Sequence, residues 1–119
     1  MNKYAIGAND TRPWGTWKVI DAGDGYCVKQ IVVQPGGILS LQRHKYRSEH
    51  WTIVVGVATV TLDDSIVMLG ADEHIYIPAT SWHRMENRGT EPLVFIEIQT
   101  GGTLDESDIE RKEDKYGRI

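Results

Sequence analysis

The sequence predicts a single all-β domain, folded as a small sandwich or barrel. Twelve glycines are spread through 119 residues. Short apolar stretches lie between turn residues, and no helical period of ten residues occurs before Asp105. Many short strands joined by tight turns are typical of closed antiparallel sheets. A chain of this length has room for only one hydrophobic core. We therefore expect one domain over 1–119, with an N-terminal arm at 1–11 and a charged tail at 105–119.

The strands are expected in a regular series along the chain. Tyr26 to Val33 is rich in β-branched residues and stops at a Pro-Gly-Gly turn. Ile38 to His44 is the next strand, and its alternate side chains should share one face. The remaining strands are expected at 51–61, interrupted at Gly56, and at 66–69, 74–77, 82–86 and 93–99.

The C-terminal tail has a different composition from the strands. Leu104 and Ile109 are the main apolar residues of an otherwise charged segment. Ser107 is followed three residues later by Glu110, which is the spacing of a capping box. We expect a short C-terminal helix that packs loosely on the barrel.

Composition excludes several classes of protein. The net charge of -4 does not suit a general nucleic-acid binder, which needs a basic face. The sequence has neither a signal-peptide pattern at its start nor the ~20 apolar residues of a membrane span. A cytoplasmic protein without nucleic-acid or membrane partners is expected. Cys27 is the single cysteine and should be a small core residue.

Four polar side chains with metal-binding chemistry fall on the predicted strands. Gln42 and His44 are two residues apart and should point into the barrel together, and Glu49 follows after a short turn. His83 opens a later strand. Two imidazoles, a carboxylate and an amide oxygen can bind Zn²⁺, Mn²⁺, Fe²⁺ or Ni²⁺. Polar groups that converge inside a barrel are costly unless something satisfies them, so we expect one divalent metal ion at Gln42, His44, Glu49 and His83.

The spacing of these residues resembles the two sequence motifs of the cupins. The first motif corresponds to G-x5-Q-x-H-x4-E-x6-G, from Gly36 to Gly56, with glutamine in place of its first histidine. The end of the second corresponds to P-x4-H-x3-N, from Pro78 to Asn87. The resemblance implies a cupin fold, a small β-barrel of the jelly-roll type.

A narrower resemblance covers nearly the whole chain. The strings RPWG, PGGILSLQRH, RSEHW, PLVFIEIQTG and ESDIERKEDKYGR are similar to the type II phosphomannose isomerase domain. That domain is usually the C-terminal half of a bifunctional enzyme with a mannose-1-phosphate guanylyltransferase. The resemblance implies interconversion of mannose 6-phosphate and fructose 6-phosphate, with Zn²⁺ as the expected ion. Lys45-Tyr46 departs from the histidine run that family members often have.

Four further residues are candidates for catalysis and substrate binding. Glu97 shares a strand face with Gln99 and is our first candidate for the base that carries the proton. Lys29 is the second catalytic candidate; it has the strand parity of inward residues and could hold hydroxyl or phosphate oxygens. Arg47, between two predicted ligands, is the first candidate for the phosphate, and Arg84 is the second.

Two other functions fit the same ligands. One is a non-catalytic cupin that binds a sugar phosphate or a nucleotide sugar. The other is a cupin dioxygenase, although such enzymes usually keep a histidine at the position of Gln42. A two-fold symmetric homodimer is also expected, because Trp17, Tyr26 and the apolar strand from Trp51 to Val60 offer faces that a second copy could bury.

Overall fold

Two antiparallel sheets make up the fold in a computed structural model that describes residues 2–117. The six-stranded sheet has the order β1-β2-β3-β10-β5-β8, and the five-stranded sheet has the order β11-β4-β9-β6-β7. The strands are β1 (Asn9–Arg12), β2 (Gly15–Gly23), β3 (Tyr26–Val33), β4 (Leu41–Arg43), β5 (Arg47–Val55), β6 (Ala58–Leu62), β7 (Ser65–Leu69), β8 (His74–Ile77), β9 (His83–Glu86), β10 (Leu93–Gly101) and β11 (Glu110–Glu113).

Alternation of side chains explains how the six-stranded sheet faces the core. In β10, Phe95, Glu97 and Gln99 are buried, whereas Ile98 is exposed. In β3, Lys29 is buried together with its apolar neighbours of the same parity. The predicted strand Tyr26–Val33 is confirmed with the same bounds. Period-two parity therefore places both polar candidates, Glu97 and Lys29, on the inner face.

The predicted strand from Ile38 to His44 is shorter in the structure. Only Leu41–Arg43 forms β4, and Ile38 makes an isolated bridge with Glu86. The strands on either side of the following turn also do not pair with each other. β4 belongs to the five-stranded sheet and β5 to the six-stranded sheet, so the chain crosses from one sheet to the other at the predicted metal ligands.

The predicted C-terminal helix is wrong. No helix occurs within residues 2–117, and Glu110–Glu113 forms β11, which pairs with β4. A helix of only a few residues is marginal in water because its nucleation is costly. Pairing with the edge of β4 satisfies the backbone groups of both strands instead. Residues 118 and 119 of the predicted tail lie outside the described residues.

The arm predicted at 1–11 includes the first residues of strand β1, which pairs with β2. Asn2 is also joined to the tail, through a bridge with Leu104. Met1 lies outside the described residues. Nothing in residues 2–117 forms a helix long and apolar enough to cross a membrane.

The main core lies between the two sheets. Trp51 and Phe95 are its largest side chains, with ring centroids 5.6 Å apart. A smaller cluster of Val19, Cys27 and Leu104 lies beside it. The polar candidates are thus set among well-packed apolar side chains, which fix their rotamers. The buried members of the main core are Trp14, Ile31, Val33, Leu39, Trp51, Ile53, Ala58, Val60, Ile77, Met85, Leu93 and Phe95.

Candidate metal centre and its cavity

His44, Glu49 and His83 converge between the sheets. One ligand atom from each lies within 4.8 Å of the others, and all three residues are buried. Glu49 comes from β5 of the six-stranded sheet, whereas His83 opens β9 of the five-stranded sheet and His44 follows β4. The packing of the two sheets therefore assembles the group.

Backbone carbonyls fix the tautomer of both histidines. His44 Nδ1 lies 2.6 Å from the carbonyl oxygen of Asp108, and His83 Nδ1 lies 3.0 Å from that of Ser81. A carbonyl can only accept, so each Nδ1 carries the proton and each neutral Nε2 presents a lone pair. This arrangement orients imidazoles for metal binding.

The Nε2 atoms face the carboxylate of Glu49. His44 Nε2 is 3.2 Å from Glu49 Oε2, and His83 Nε2 is 4.0 Å from Glu49 Oε1. Burial lowers the pKa of His44 to about 4 and also lowers the pKa of His83, so both imidazoles are neutral at pH 7. Three acceptors therefore face one another.

The chemistry of these donor atoms fits a divalent metal ion. His83 Nε2 has no hydrogen-bond partner among the described residues. A buried acceptor without a partner is costly, and a cation placed between these acceptors would satisfy it. The triad does not by itself select among the ions that accept nitrogen and oxygen ligands.

Gln42 lies beside the triad. It is opposite His83 in the register of β4 and β9, so the two side chains share a face. Gln42 also lines the cavity described below. Its role as a fourth ligand stays a prediction.

Glu97 lies next to the triad on the inner face. The indole N–H of Trp51 donates to Glu49 Oε1 at 2.9 Å and to Glu97 Oε1 at 3.1 Å. Gln99 Nε2 donates to Glu97 Oε2 at 2.7 Å. Burial and the charge of Glu49 raise the pKa of Glu97 to about 8. Burial opposes ionisation of Glu49 as well, but the charge of Arg47 outweighs it and holds that pKa well below its usual range.

Arg47 is buried and contacts the triad directly. Its Nε donates to Glu49 Oε2 at 2.8 Å, and one terminal nitrogen lies 3.2 Å from His44 Nε2. Arg47 also donates to the Tyr4 hydroxyl at 3.2 Å. It is the first residue of β5 rather than part of a turn, which explains why its side chain points inward with that of Glu49.

Lys29 is opposite Glu97 in the register of β3 and β10. Its ammonium group lies 4.3 Å from the ring centroid of Tyr4 and 4.2 Å from that of Trp17. Its Nζ is 3.4 Å from Glu106 Oε2. Lys29, Arg47 and Glu97 all line one cavity of about 90 Å³, together with Gln42.

Arg84 is not brought together with these residues. It has the opposite strand parity from His83, and its Nε donates to the Leu39 carbonyl oxygen at 3.0 Å. Its terminal nitrogens contact Glu113 of β11. Arg84 therefore holds the C-terminal strand on the outer side of the sheet and does not line the cavity.

Sequence reasoning did not predict the contacts made at this site by Trp51, Tyr4, Glu106 and the backbone carbonyl of Asp108. Trp51 shares the parity of Glu49, so its inward position could have been read from the strand. Tyr4, Glu106 and Asp108 lie outside the inward-facing strand positions, and long-range packing brings them to the site. No local pattern marks them.

The fold and the site together define a cupin. The chain superposes on a double-stranded β-helix protein from Klebsiella pneumoniae with a TM-score of 0.71 and 19% identity, covering 82% of this chain and 78% of that one. It superposes on the Schizosaccharomyces pombe Cnp3 cupin domain with a TM-score of 0.70 and 13% identity, covering 72% and 64%. At these identities the likeness concerns the fold alone.

Sequence comparison gives the family. Residues 2–114 match the family described as mannose-6-phosphate isomerase C-terminal, and the chain belongs to that family. It is 51% identical to mannose-1-phosphate guanylyltransferase of Escherichia coli K12, over 91% of this chain and 23% of that protein. It is 50% identical to the alginate biosynthesis protein AlgA of Pseudomonas aeruginosa, over 90% and 22%. The chain thus spans less than a quarter of these relatives.

Proposed function

We propose that this domain is a metal-dependent mannose-6-phosphate isomerase. The observation that carries the proposal is the buried triad of His44, Glu49 and His83 in a chain whose residues 2–114 match the isomerase C-terminal family. The cavity beside the triad is lined by two carboxyl groups and by cations, and the cations suit a phosphorylated sugar.

The proposed reaction moves one proton between C2 and C1 of the sugar phosphate and a second proton between the oxygens O2 and O1. Glu97 is the proposed carrier of the first proton, since its buried carboxyl group lines the cavity and is oriented by Trp51 and Gln99. A divalent ion, held by the triad and by Gln42, would supply Lewis-acid polarisation of the sugar carbonyl. Zn²⁺ is the expected ion, and Mn²⁺, Ni²⁺ and Fe²⁺ have compatible ligand preferences.

Lys29 and Arg47 are the proposed groups for the substrate's phosphate and hydroxyl oxygens. Both are buried cations on strands, so the loss of side-chain entropy on binding is small. Arg47 also donates to the His44 lone pair that a metal ion would take. One lone pair cannot serve both, so metal binding should release that guanidinium nitrogen toward the cavity.

The test is a coupled isomerase assay on the purified chain, supplied in turn with Zn²⁺, Mn²⁺, Ni²⁺ and Fe²⁺. We expect turnover of mannose 6-phosphate. His83→Ala should lose bound metal and nearly all activity, because it removes a ligand, while circular dichroism still reports a folded β domain. His50→Ala is the matched control, since His50 lies exposed on the outer face of β5, and it should retain both metal and activity.

Absence of turnover in the metal-loaded wild-type chain would contradict the enzyme proposal. The second candidate is then a non-catalytic cupin that binds a sugar phosphate or a nucleotide sugar. It is favoured by Lys29 and Arg47, which line the cavity and require no catalytic step to bind an anion. Calorimetry with mannose 6-phosphate would detect such binding. Oxygen consumption with a small organic substrate would instead favour the dioxygenase alternative.

A further inference from the structure

Glu106 is surrounded by cations at the cavity. Its Oε2 lies 3.4 Å from Lys29 Nζ and 3.7 Å from a terminal nitrogen of Arg47, and its Oε1 lies 3.8 Å from a terminal nitrogen of Arg12. The hydroxyl of Tyr4 also donates to Oε2. One carboxylate thus contacts three cations from β1, β3 and β5. Two of them also have a closer carboxylate: Arg12 pairs with Asp10 at 3.2 Å and Arg47 with Glu49 at 2.8 Å.

The partners of Glu106 differ from it in how firmly they are held. Lys29 and Arg47 are inward side chains of central strands, with side chains only 4% and 6% exposed. Glu106 lies on a turn between Leu104 and β11, and its side chain is 41% exposed. Lys29 and Arg47 are therefore the fixed part of the cluster. Arg12, whose side chain is 34% exposed, and the carboxylate of Glu106 are the parts that can move.

The turn that carries Glu106 is itself attached by charged groups. Asp108 accepts from the backbone N–H groups of Lys45 and Tyr46, and Asp105 pairs with Lys3 at 3.2 Å. The side chains of Asp105 and Asp108 therefore hold residues 105–108 beside the cavity. Displacement of Glu106 leaves these two attachments in place.

The donors suit a phosphate group better than they suit a carboxylate. Lys29, Arg47 and Tyr4 all approach the same oxygen of Glu106, while Arg12 approaches the other. A phosphate monoester offers three terminal oxygens and carries nearly two negative charges at pH 7. It can distribute the same donors over separate oxygens and bring more charge to them.

We propose that Arg12, Lys29 and Arg47 form the phosphate subsite of this domain, and that Glu106 is an internal counter-anion which the phosphate displaces. This inference deepens the proposed function and rests on it only for the identity of the sugar. Glu106 then sets specificity, because a neutral sugar cannot replace its charge whereas a dianion can. Occupancy of the subsite by Glu106 lowers the apparent affinity for every anion, because only those protein molecules in which Glu106 has left the subsite can bind one.

The test is titration of the full chain with inorganic phosphate, by calorimetry at pH 7.5 after treatment with a chelator. Glu106→Gln removes the competing charge but keeps the shape of the side chain. It should bind phosphate at least ten-fold more tightly than wild type, which corresponds to about 1.4 kcal/mol. The gain should be largely lost when Lys29→Gln is added, because the phosphate then lacks one of its two fixed cations.

Glu110→Gln is the control for net charge. Glu110 lies four residues further along the same segment, is 60% exposed and pairs with Arg43 outside the cavity. It should bind phosphate within two-fold of wild type. A Glu106→Gln variant that binds phosphate no more tightly than Glu110→Gln would overturn the proposal, and so would an absence of phosphate binding in all these variants.

A second variant covers the case in which Glu106→Gln does not fold. Glu106→Asp keeps the negative charge but shortens the side chain by one methylene group, so its carboxylate is drawn away from the cations. It should show a smaller gain in phosphate affinity, of about three-fold. An unchanged or lower affinity would count against displacement. None of these measurements uses turnover, so failure of the isomerase assay and failure of this proposal are separate results.

Discussion

Two neighbouring carboxyl groups at the centre of this molecule have opposite acid–base properties. Glu49 and Glu97 both receive a hydrogen bond from Trp51 and both are buried. Glu49 lies nearer the positive charge of Arg47, which lowers its pKa, whereas burial and the negative charge of Glu49 raise the pKa of Glu97. The different charges around each residue therefore suit Glu49 to hold a cation and Glu97 to hold a proton.

Cys27 shows how burial limits reactivity. Its side chain is fully enclosed, and burial raises the pKa of the thiol to about 11. At pH 8 the thiolate fraction is then more than ~100-fold below that of an unperturbed cysteine. We expect a disulfide reagent such as DTNB to label the native chain at least ~100 times more slowly than the chain unfolded in guanidinium chloride. Equal rates in the two states would show that Cys27 is accessible.

At the scale of elements, the close approach of β5 and β10 determines where strand β5 begins, at Arg47. Gly101 is opposite Arg47 in the register of these strands. A Cβ atom at Gly101 would lie 2.2 Å from the carbonyl oxygen of Tyr46, whereas a Cβ at Gly102 would meet nothing within 4 Å. The absence of a side chain at Gly101 therefore allows the start of β5 to lie beside the end of β10.

Gly101→Ala should consequently destabilise the fold. We expect the free energy of unfolding in urea to fall by about 2 kcal/mol or more, because backbone must move to relieve the overlap. Gly102→Ala is the neighbouring control and should change it by no more than ~0.5 kcal/mol. Equal effects of the two substitutions would mean that the strands tolerate a wider separation than the structure has.

The strands also show what could be predicted from the sequence. Parity along β3 and β10 was enough to bring Lys29 and Glu97 to the inner face, because the side-chain period of a strand is two whatever the strand pairs with. The segment after Leu104 was different. Its capping-box spacing favoured a helix, but pairing with the exposed edge of β4 decided the outcome. The roles of Glu106 and Asp108 depend on that pairing and could not be predicted locally.

At the scale of the whole molecule, exposed apolar side chains suggest association. Trp51 is buried in the core and is not available to a partner, but Val54, Val55 and Val57 of the predicted interface are exposed. Ile66 and Met68 of the edge strand β7 are exposed as well. Apolar side chains on an unpaired edge strand favour pairing with a second copy.

The two-fold homodimer predicted from the sequence stays a prediction. Light scattering at micromolar concentration should give about twice the 13.4 kDa mass of one chain. Ile66→Lys should shift the mass toward that of a single chain if β7 forms the interface, because it places a charge in an apolar contact. Surface substitution at Asp24, on the β2–β3 turn, is the control. A wild-type monomer would contradict the prediction.

The contact between His44 and Asp108 has a consequence for the order in which the site is completed. The triad residues occur between positions 44 and 83, but the carbonyl that fixes the proton of His44 belongs to residue 108. During synthesis from the N-terminus, a growing chain therefore contains all three triad residues before it contains the group that sets one of them in its binding form. A metal ion held by the triad would therefore reach its final coordination only after Asp108 has been added to the chain.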